Sequence, residues 1–155
     1  MNSLGIRVTS STIFLSVYNT ENKTILSERQ ALPDLDLPKK LKQIRADFLE
    51  FLSKNKIGNV AIKIAEKNAL SINLERIAIE GVLQEAIASS EIKSYSIHSL
   101  QSVAKSFGIK GKDFKPLVTD AEVFLKFVEN KITQTNLRTN NDQREAILLA
   151  VSVLN

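Results

Sequence analysis

Residues 4 to 18 read LGIRVTSSTIFLSVY and contain two apolar, β-branched runs on either side of a serine pair. Such runs are typical of strands, and paired serines are typical of a turn. The stretch therefore predicts strands over residues 4 to 9 and 12 to 18. Residues 23 to 31 (KTILSERQA) predict a third strand. Three consecutive short strands predict an antiparallel meander.

Downstream of the meander, the pattern alternates between helices and short strands. Apolar residues recur at helical spacing after Pro38, whereas VAIKIA and IKSYSI are short runs typical of strands. We predict, in order, a helix from about 38 to 55, a turn at 57–59, a strand at 60–65, a helix at 71–89, a strand at 92–97, a helix at 99–107, a basic loop at 108–116, a helix at 120–130, a polar linker at 133–141 and a helix from 142 to the end.

This order predicts an α/β fold of one domain, residues 1 to 155. A three-strand antiparallel meander, followed by parallel strands that alternate with helices, predicts a mixed sheet with helices on both faces. The content of 43% hydrophobic and 25% charged residues is an ordinary globular balance. Gly81 lowers the helix propensity of its segment, which predicts close packing of that helix against the sheet.

The composition excludes several kinds of chemistry. The chain has no cysteine and one histidine, His98, so disulfides, thiol nucleophiles and ordinary zinc sites are excluded. We expect no cofactor, and any metal would be a hard ion held by carboxylates. The net charge of +4 favours anionic partners, nucleic acid among them. The N-terminus lacks a signal-peptide pattern and no apolar run could span a membrane, so we expect a cytoplasmic protein without a membrane partner.

Four segments carry a resemblance to a known family. Residues 4 to 9 (LGIRVT) resemble a first strand of the form L-G-I-D-P-G, and residues 80 to 83 (EGVL) resemble a long helix after the fourth strand. Residues 99 to 112 (SLQSVAKSFGIKGK) resemble a P-x-x-V-K-K-x-x-x-G-x-G-x-x-x-K stretch, and residues 142 to 150 (DQREAILLA) are similar to a final D-x-x-D-A-L-x-x-A helix. These motifs are those of the RuvC-like branch of the ribonuclease H-like superfamily. The chain also resembles a small uncharacterised bacterial group within that branch, with G-V-E-L and V-V-I-K-E-R strands.

The resemblance implies a pair of Mg²⁺ ions held by carboxylates of the first strand, the fourth strand and the last helix, where they would activate water against a phosphodiester. Arg7 replaces the first of these carboxylates, and the aligned V-V-I-K-E-R pattern puts Lys63 beside Ile64, where the fourth-strand glutamate would fall. Glu66, farther along, is either a displaced acid or the end of the strand. Only Asp142 and Glu145 fall where carboxylates are expected.

Strand alternation favours a specific arrangement of these residues. Arg7 and Lys63 are each flanked on their own strand face by small residues. If the two strands are neighbours in register, both cations point into the pocket where the metals would lie, and they would pair with Asp142 and Glu145. The first hypothesis is therefore a degenerate nuclease centre, without metal, whose carboxylates are neutralised by cations of the chain.

Each of these residues also has a purely structural interpretation. Asp142 and Glu145 have the spacing of a helix capping box, with Asp142 as N-cap. Arg7 would point outward if its strand were an edge, and Lys63 could extend along the sheet to solvent. We interpret His98 as a loop residue before a helix.

Four lysines are the candidates for contact with nucleic-acid phosphates. They fall within one glycine-containing stretch, in which flexible backbone lets cations and amide groups reach an anion together. The resemblance implies that this stretch lies near nucleic acid. The alternative is an ordinary exposed loop, in which Asp113 dilutes the charge. The four residues are Lys105, Lys110, Lys112 and Lys115.

Three functions remain open at this level. The first is a non-catalytic RuvC-like module that binds nucleic acid through Arg7, Lys63 and the segment 105–115, with steep salt dependence. The second is a structural or protein-interaction scaffold, with a protein partner or as a homodimer. The third is a Mg²⁺- or Mn²⁺-dependent nuclease, which we rank last because its rearranged acid set would be only Glu66, Asp142 and Glu145.

Overall fold

The computed structural model describes residues 1–66, 71–134 and 137–153. Its helices and strands follow the predicted order with one added helix. They are β1 (Asn2–Val8), β2 (Thr12–Asn19), β3 (Thr24–Ala31), α1 (Leu37–Lys54), β4 (Ile57–Lys63), α2 (Leu74–Ala88), β5 (Ser94–His98), α3 (Leu100–Ser106), α4 (Gly111–Thr119), α5 (Ala121–Val128) and α6 (Asn141–Ser152). Among the described residues, no helix combines the length and apolar character that crossing a bilayer requires.

β1 lies at the centre of a five-stranded sheet whose order, over the described ranges, is β3-β2-β1-β4-β5. β1 pairs antiparallel with β2 and parallel with β4. β2 and β3 are antiparallel, and β4 and β5 are parallel. The predicted combination of an antiparallel meander with parallel strands is confirmed. The central position of β1 also excludes the alternative in which Arg7 points outward from an edge strand.

Helices cover both faces of the sheet, as predicted. α1 and α2 pack on one face, where Leu4, Ile6 and Val8 of β1 are fully buried. α6 lies across the other face, and α3, α4 and α5 complete that layer around Phe114 and Phe124. Since β1 is apolar towards one layer, the residues that alternate with these three are directed towards α6.

α6 packs directly on β1 because Gly5 has no side chain. A Cβ on Gly5 would lie 1.9 Å from the carbonyl oxygen of Ala146 and 2.5 Å from the amide nitrogen of Ala150. Ser3, on the same strand face, donates a hydrogen bond from Oγ to the Ala150 carbonyl at 2.7 Å. These contacts define where α6 lies along β1, and they thereby position the side chains of its first turns.

Part of the predicted basic loop at 108–116 is helical, and this prediction was wrong. α4 begins at Gly111, and its residues Phe114 and Leu117 are buried. Two apolar residues three positions apart are typical of a helix face, but glycines and lysines around them favoured a loop. Gly108 does lie in a turn, with a φ of 69° after α3.

Two strand boundaries also differ from the prediction. Residues 57–59, predicted as a turn, form the first part of β4 and pair with β1, because the buried Ile57 extends the apolar run. β5 begins at Ser94 and includes His98, which was predicted as a loop residue. The shift matters for the site because it places the His98 side chain on the sheet.

Gly81 does not pack against the sheet, so that prediction was wrong. It is exposed, and a Cβ there would meet no described atom within 4 Å. The buried face of α2 is formed by larger residues, including Ile79 and Leu83. Glycine at this position costs α2 about 1 kcal/mol relative to alanine, and no contact among the described residues offsets that cost.

Candidate functional site

Arg7, Lys63 and His98 form a row across three parallel strands. Arg7 of β1 is in register with Lys63 of β4, and Lys63 is in register with His98 of β5. Register-matched residues of neighbouring strands point to the same face of a sheet, and this face is the one that α6 covers. β1 and β4 therefore pair in the register that the hypothesis requires, and both cations lie on the α6 side of the sheet.

The first turns of α6 bring two carboxylates onto this row. Glu145 lies between the two cations, with Oε2 2.8 Å from Arg7 Nε and Oε1 2.7 Å from Lys63 Nζ. Asp142 Oδ1 lies 3.6 Å from Arg7 Nε. The predicted ion pairs are therefore present, and we call these four residues the ion-pair cluster.

Both carboxylates are free to pair because neither caps α6. The N-cap is Asn140, whose side chain accepts a hydrogen bond from the Gln143 amide at 2.8 Å. The Gln143 side chain accepts in turn from the Asn140 amide at 3.1 Å. The predicted capping box of Asp142 and Glu145 was therefore wrong. Asparagine is as good an N-cap as aspartate, and here it starts the helix one position before Asp142.

The ion-pair cluster is shielded from water on most sides. The side chains of Lys63 and Glu145 are 9% and 6% exposed, and that of Arg7 is 15% exposed. Lys63 therefore does not extend to solvent, which was its alternative interpretation. Removing one partner of a buried ion pair leaves an uncompensated charge and typically costs about 3 to 5 kcal/mol.

Charge in the cluster balances, whereas its hydrogen bonding is incomplete. Two cations face two carboxylates. Arg7 donates from Nη1 to the Val8 carbonyl at 3.0 Å. Among the described residues, however, Arg7 Nε and Glu145 Oε1 have no partner at hydrogen-bond angles, although each is less than 3 Å from an opposite charge. Coulomb attraction at such distances does not depend on the angle and is strong where water is excluded.

The residues present do not fit the pair of Mg²⁺ ions that the resemblance implies. Magnesium requires oxygen ligands at near-octahedral geometry, but the first-strand position holds the guanidinium of Arg7, and the ammonium group of Lys63 lies 2.7 Å from Glu145 Oε1. Within residues 1–66, 71–134 and 137–153, no group of three or more histidine or carboxylate side chains could hold a metal ion. The arrangement instead links β1, β4 and α6 through charge.

Glu66 and His98 lie outside the ion-pair cluster. Glu66 is exposed and accepts a hydrogen bond from the Leu100 amide at 2.8 Å, where a carboxylate favours the start of α3. His98 is half-buried, with Nε2 2.7 Å from Ser96 Oγ and Nδ1 3.2 Å from Ser102 Oγ. Burial of the His98 ring lowers its pKa, because it disfavours the charged form.

A cavity of about 340 Å³ opens beside the cluster, between the ends of β1 and β4 and the start of α2. Arg7 and Arg76 both line it. Arg76 Nε donates to Glu80 Oε1 at 2.8 Å, and Glu80 Oε2 accepts from the Ala65 amide at 2.9 Å. The sequence-based prediction did not include Arg76 and Glu80, although their i, i+4 spacing on a helix signals such a pair.

The four candidate lysines lie on exposed parts of α3 and α4, and we call them the basic surface. Lys112 and Lys115 are one helical turn apart on α4 and point to similar sides. Among the residues that the structure describes, none of the four forms an ion pair with a carboxylate. The members are Lys105 on α3, Lys110 at the N-cap of α4, and Lys112 and Lys115 within it.

Comparison with solved structures gives several likenesses over the whole described fold. Thermus thermophilus RuvC matches with a TM-score of 0.75 at 16% identity, over 98% of this chain and 92% of that chain. T. thermophilus RuvC in complex with Holliday junction substrate matches with a TM-score of 0.70 at 14% identity, over 98% and 91%. The yeast mitochondrial Holliday junction resolvase matches with a TM-score of 0.61 at 10% identity, over 98% and 77%.

Comparisons of sequence give no such likeness. A scan against protein-family models and a search of curated proteins both find no match, so the resemblance to a small bacterial group stays a prediction. The structural likeness, at 16% identity or less, is a likeness of fold. On this basis the chain adopts the ribonuclease H-like fold in the form found in the RuvC resolvases.

Proposed function

We propose that this chain is a non-catalytic, nucleic-acid-binding module with a RuvC-like fold. The observation that carries the proposal is the position of Glu145 between Arg7 and Lys63. In this arrangement two cations of the chain stand where the resemblance implies metal ions. The fold is retained, while the residues at its centre are suited to neutralising each other.

The buried ion pairs work against metal binding. An incoming Mg²⁺ ion would compete with Lys63 and Arg7 for the oxygens of Glu145 and would be repelled by both cations. If the ion displaced Lys63, a buried ammonium group would lose its counter-ion, which costs several kcal/mol. Asp142, at 36% exposure, is the accessible carboxylate of the cluster, and one carboxylate is a poor ligand set for magnesium.

The basic surface supports nucleic acid as the partner. Its four lysines are exposed and are not neutralised by carboxylates among the described residues, and the chain carries a net charge of +4. Lysines in such a setting bind phosphates and release counterions from the nucleic acid. A T. thermophilus RuvC of the same fold has been solved with a Holliday junction, which makes branched DNA the first ligand to test.

The test is fluorescence anisotropy with a labelled four-way DNA junction and a matched linear duplex. With four phosphate contacts, we expect the affinity to fall roughly 100-fold as salt rises from about 50 to 200 mM. Lys112→Glu/Lys115→Glu should weaken binding and reduce the salt slope by about 2. Lys39→Glu/Lys42→Glu is the matched control, since these two exposed lysines have the same spacing near the start of α1.

Metal binding is tested in parallel by calorimetric titration with Mg²⁺ and Mn²⁺, with and without the junction. The proposal expects salt-sensitive DNA binding, no metal binding by the free protein and no cleavage. Cleavage that disappears in Asp142→Asn would support the alternative nuclease with Glu66, Asp142 and Glu145 as its acids. Absence of both DNA and metal binding would support the alternative of a protein-interaction scaffold.

A further inference from the structure

The outer edge of β3 is covered only at its start. β3 is the last strand of the sheet on the side of the meander, so successive residues direct their main-chain groups alternately towards β2 and away from it. The Gln134 side chain accepts a hydrogen bond from the Ile25 amide at 2.6 Å and donates one to the Ile25 carbonyl at 2.9 Å. Ile25 is therefore one of the residues whose main-chain groups point outward, and Gln134 blocks that end of the edge.

The rest of this edge presents unused hydrogen-bonding groups. Ser27, Arg29 and Ala31 follow Ile25 at every second position, so their amide and carbonyl groups also point away from β2. Among the residues that the structure describes, none supplies a hydrogen-bond partner to these outward groups. We call residues 27–31 the open edge. An edge of this kind is a template for another strand, and in many complexes an extended peptide occupies it.

A groove of about 360 Å³ runs beside the open edge, between β3 and α1. Its base is apolar and is formed by Ile13, Ile44 and Phe51, all of which are buried. Glu28 and Gln30 line the groove from β3. Gln30 is in register with Ile13, which belongs to the core beneath α1 and α2, so this face of β3 is the one that meets α1. A strand added to the open edge would therefore direct every second side chain into the groove.

The groove is acidic, although the chain as a whole is basic. Glu28, Asp47 and Glu50 line it together with one cation, Lys54. Among the described residues, no cation lies within ion-pair distance of these three carboxylates. The negative charge beside the open edge therefore favours lysine and arginine in a partner and disfavours nucleic acid. Leu26, which is 51% exposed on the same face of β3, offers an apolar contact two positions before Glu28.

We infer that the open edge and its groove bind an extended, basic peptide segment of a partner protein, which adds to β3 as a further strand. Main-chain hydrogen bonds to residues 27–31 hold the segment, and the alternation of its side chains selects it. The segment that fits carries an apolar side chain beside Leu26 and a lysine or arginine two positions away, beside Glu28. A second copy of β3 fits less well, since pairing centred on Glu28 puts two carboxylates opposite each other. This inference is independent of the proposed nucleic-acid binding, because the basic surface lies in the layer on the other face of the sheet.

Fluorescence anisotropy of the full chain with a short labelled peptide tests the inference. In this peptide, threonine alternates with leucine, lysine and arginine, so the last three side chains share one face of a strand. We expect saturable binding, and none when glutamate replaces the lysine and the arginine. Asp47→Lys/Glu50→Lys should raise the dissociation constant about tenfold. Glu122→Lys/Glu129→Lys is the matched control, since it changes the net charge equally at exposed positions in and next to α5, and it should bind the peptide as the wild type does.

Amide hydrogen exchange followed by NMR tests whether the peptide pairs with the open edge. Exchange at Ser27, Arg29 and Ala31 should be rapid in the free chain and slow with saturating peptide. A peptide that is N-methylated at the residues facing β3 keeps its side chains but loses its donors, so it should bind at least about tenfold more weakly.

Several results would overturn the inference. They are the absence of saturable binding, an equal effect of the two charge-reversed variants, and unchanged exchange at the three amides. Protection of these amides that grows with protein concentration in the absence of peptide would show that a second copy occupies the edge, and it would also overturn the inference.

Discussion

Lys63 and Glu145 join the central sheet to the helix that covers it, since Nζ lies 2.7 Å from Oε1 and both side chains are more than nine-tenths buried. Glu145 also contacts Arg7 of the neighbouring strand at 2.8 Å. One carboxylate therefore balances cations from two strands. The stability of the chain depends on this point, because removing Glu145 leaves Lys63 buried without a counter-ion.

Replacing one residue of the Lys63–Glu145 pair should lower the free energy of unfolding much more than replacing both. We expect Glu145→Leu to lower the free energy of unfolding by about 3 to 5 kcal/mol, because it leaves Lys63 buried without a counter-ion. The double variant Lys63→Met/Glu145→Leu should recover most of this loss, since Arg7 retains Asp142. Urea unfolding of the wild type, both single variants and the double variant measures the coupling. If the double variant loses as much stability as the two single variants together, the two residues are not coupled and the prediction is wrong.

Gly5 should be intolerant of even one methyl group. Gly5→Ala puts a Cβ 1.9 Å from the Ala146 carbonyl oxygen, so α6 must move away from β1. We expect a loss of about 3 kcal/mol or more, at the upper end for overpacked cores. Gly111→Ala is the control, because its Cβ would meet the Gln101 side chain at 3.8 Å, an ordinary contact. Thermal unfolding compares the two, and equal melting temperatures would show that α6 does not depend on Gly5.

Introducing carboxylates at Arg7 and Lys63 should create a metal site. In Arg7→Asp/Lys63→Glu, four carboxylates converge from β1, β4 and α6, which is the ligand type that Mn²⁺ and Mg²⁺ prefer. We expect Mn²⁺ to raise the melting temperature of this variant by mass action, and to leave that of the wild type unchanged. Arg7→Ala/Lys63→Ala is the control, because it removes the two cations without adding carboxylate ligands. If the alanine variant binds Mn²⁺ equally well, the strand positions do not supply ligands.

His98 should make stability depend on pH below neutrality. Burial lowers its pKa in the folded state. Above the ordinary value of about 6.5 neither state binds the proton, and His98 contributes nothing. As pH falls through about 6.5, the unfolded chain takes up the proton first, so stability decreases until the pH has passed the folded-state pKa.

His98 is the single histidine of the chain. His98→Gln should therefore remove this part of the pH dependence of urea unfolding between about pH 8 and 5, and an unchanged profile would contradict the prediction.

Much of the arrangement around Arg7 and Lys63 could be predicted without a structure. Strand alternation is local, so it places Arg7 on the face of Gly5, and Lys63 on the face of Ala61, whatever the rest of the chain does. Element order predicted the meander and the parallel strands that follow it. These features depend on the period of the side chains along each strand, which can be counted in the sequence.

Other features depend on contacts between distant segments, and the sequence does not encode them locally. Asn140 and Asp142 are both acceptable caps, and the start of α6 at Asn141 leaves Asp142 free to face Arg7. Whether Gly81 contacts the sheet likewise depends on which side of α2 meets it, and Gly81 lies on the exposed side.

The features that the sequence predicts and those that it does not differ in the range of the interactions that determine them. Periodicity and composition set the type of each element and the face on which Arg7, Lys63 and Glu145 lie, because those properties belong to neighbours in the chain. Their meeting required β1 and β4 to pair in register and Gly5 to admit α6 against β1. Packing between elements that are distant in sequence thus brings the two strand cations and the two carboxylates of α6 together in one charge-balanced cluster.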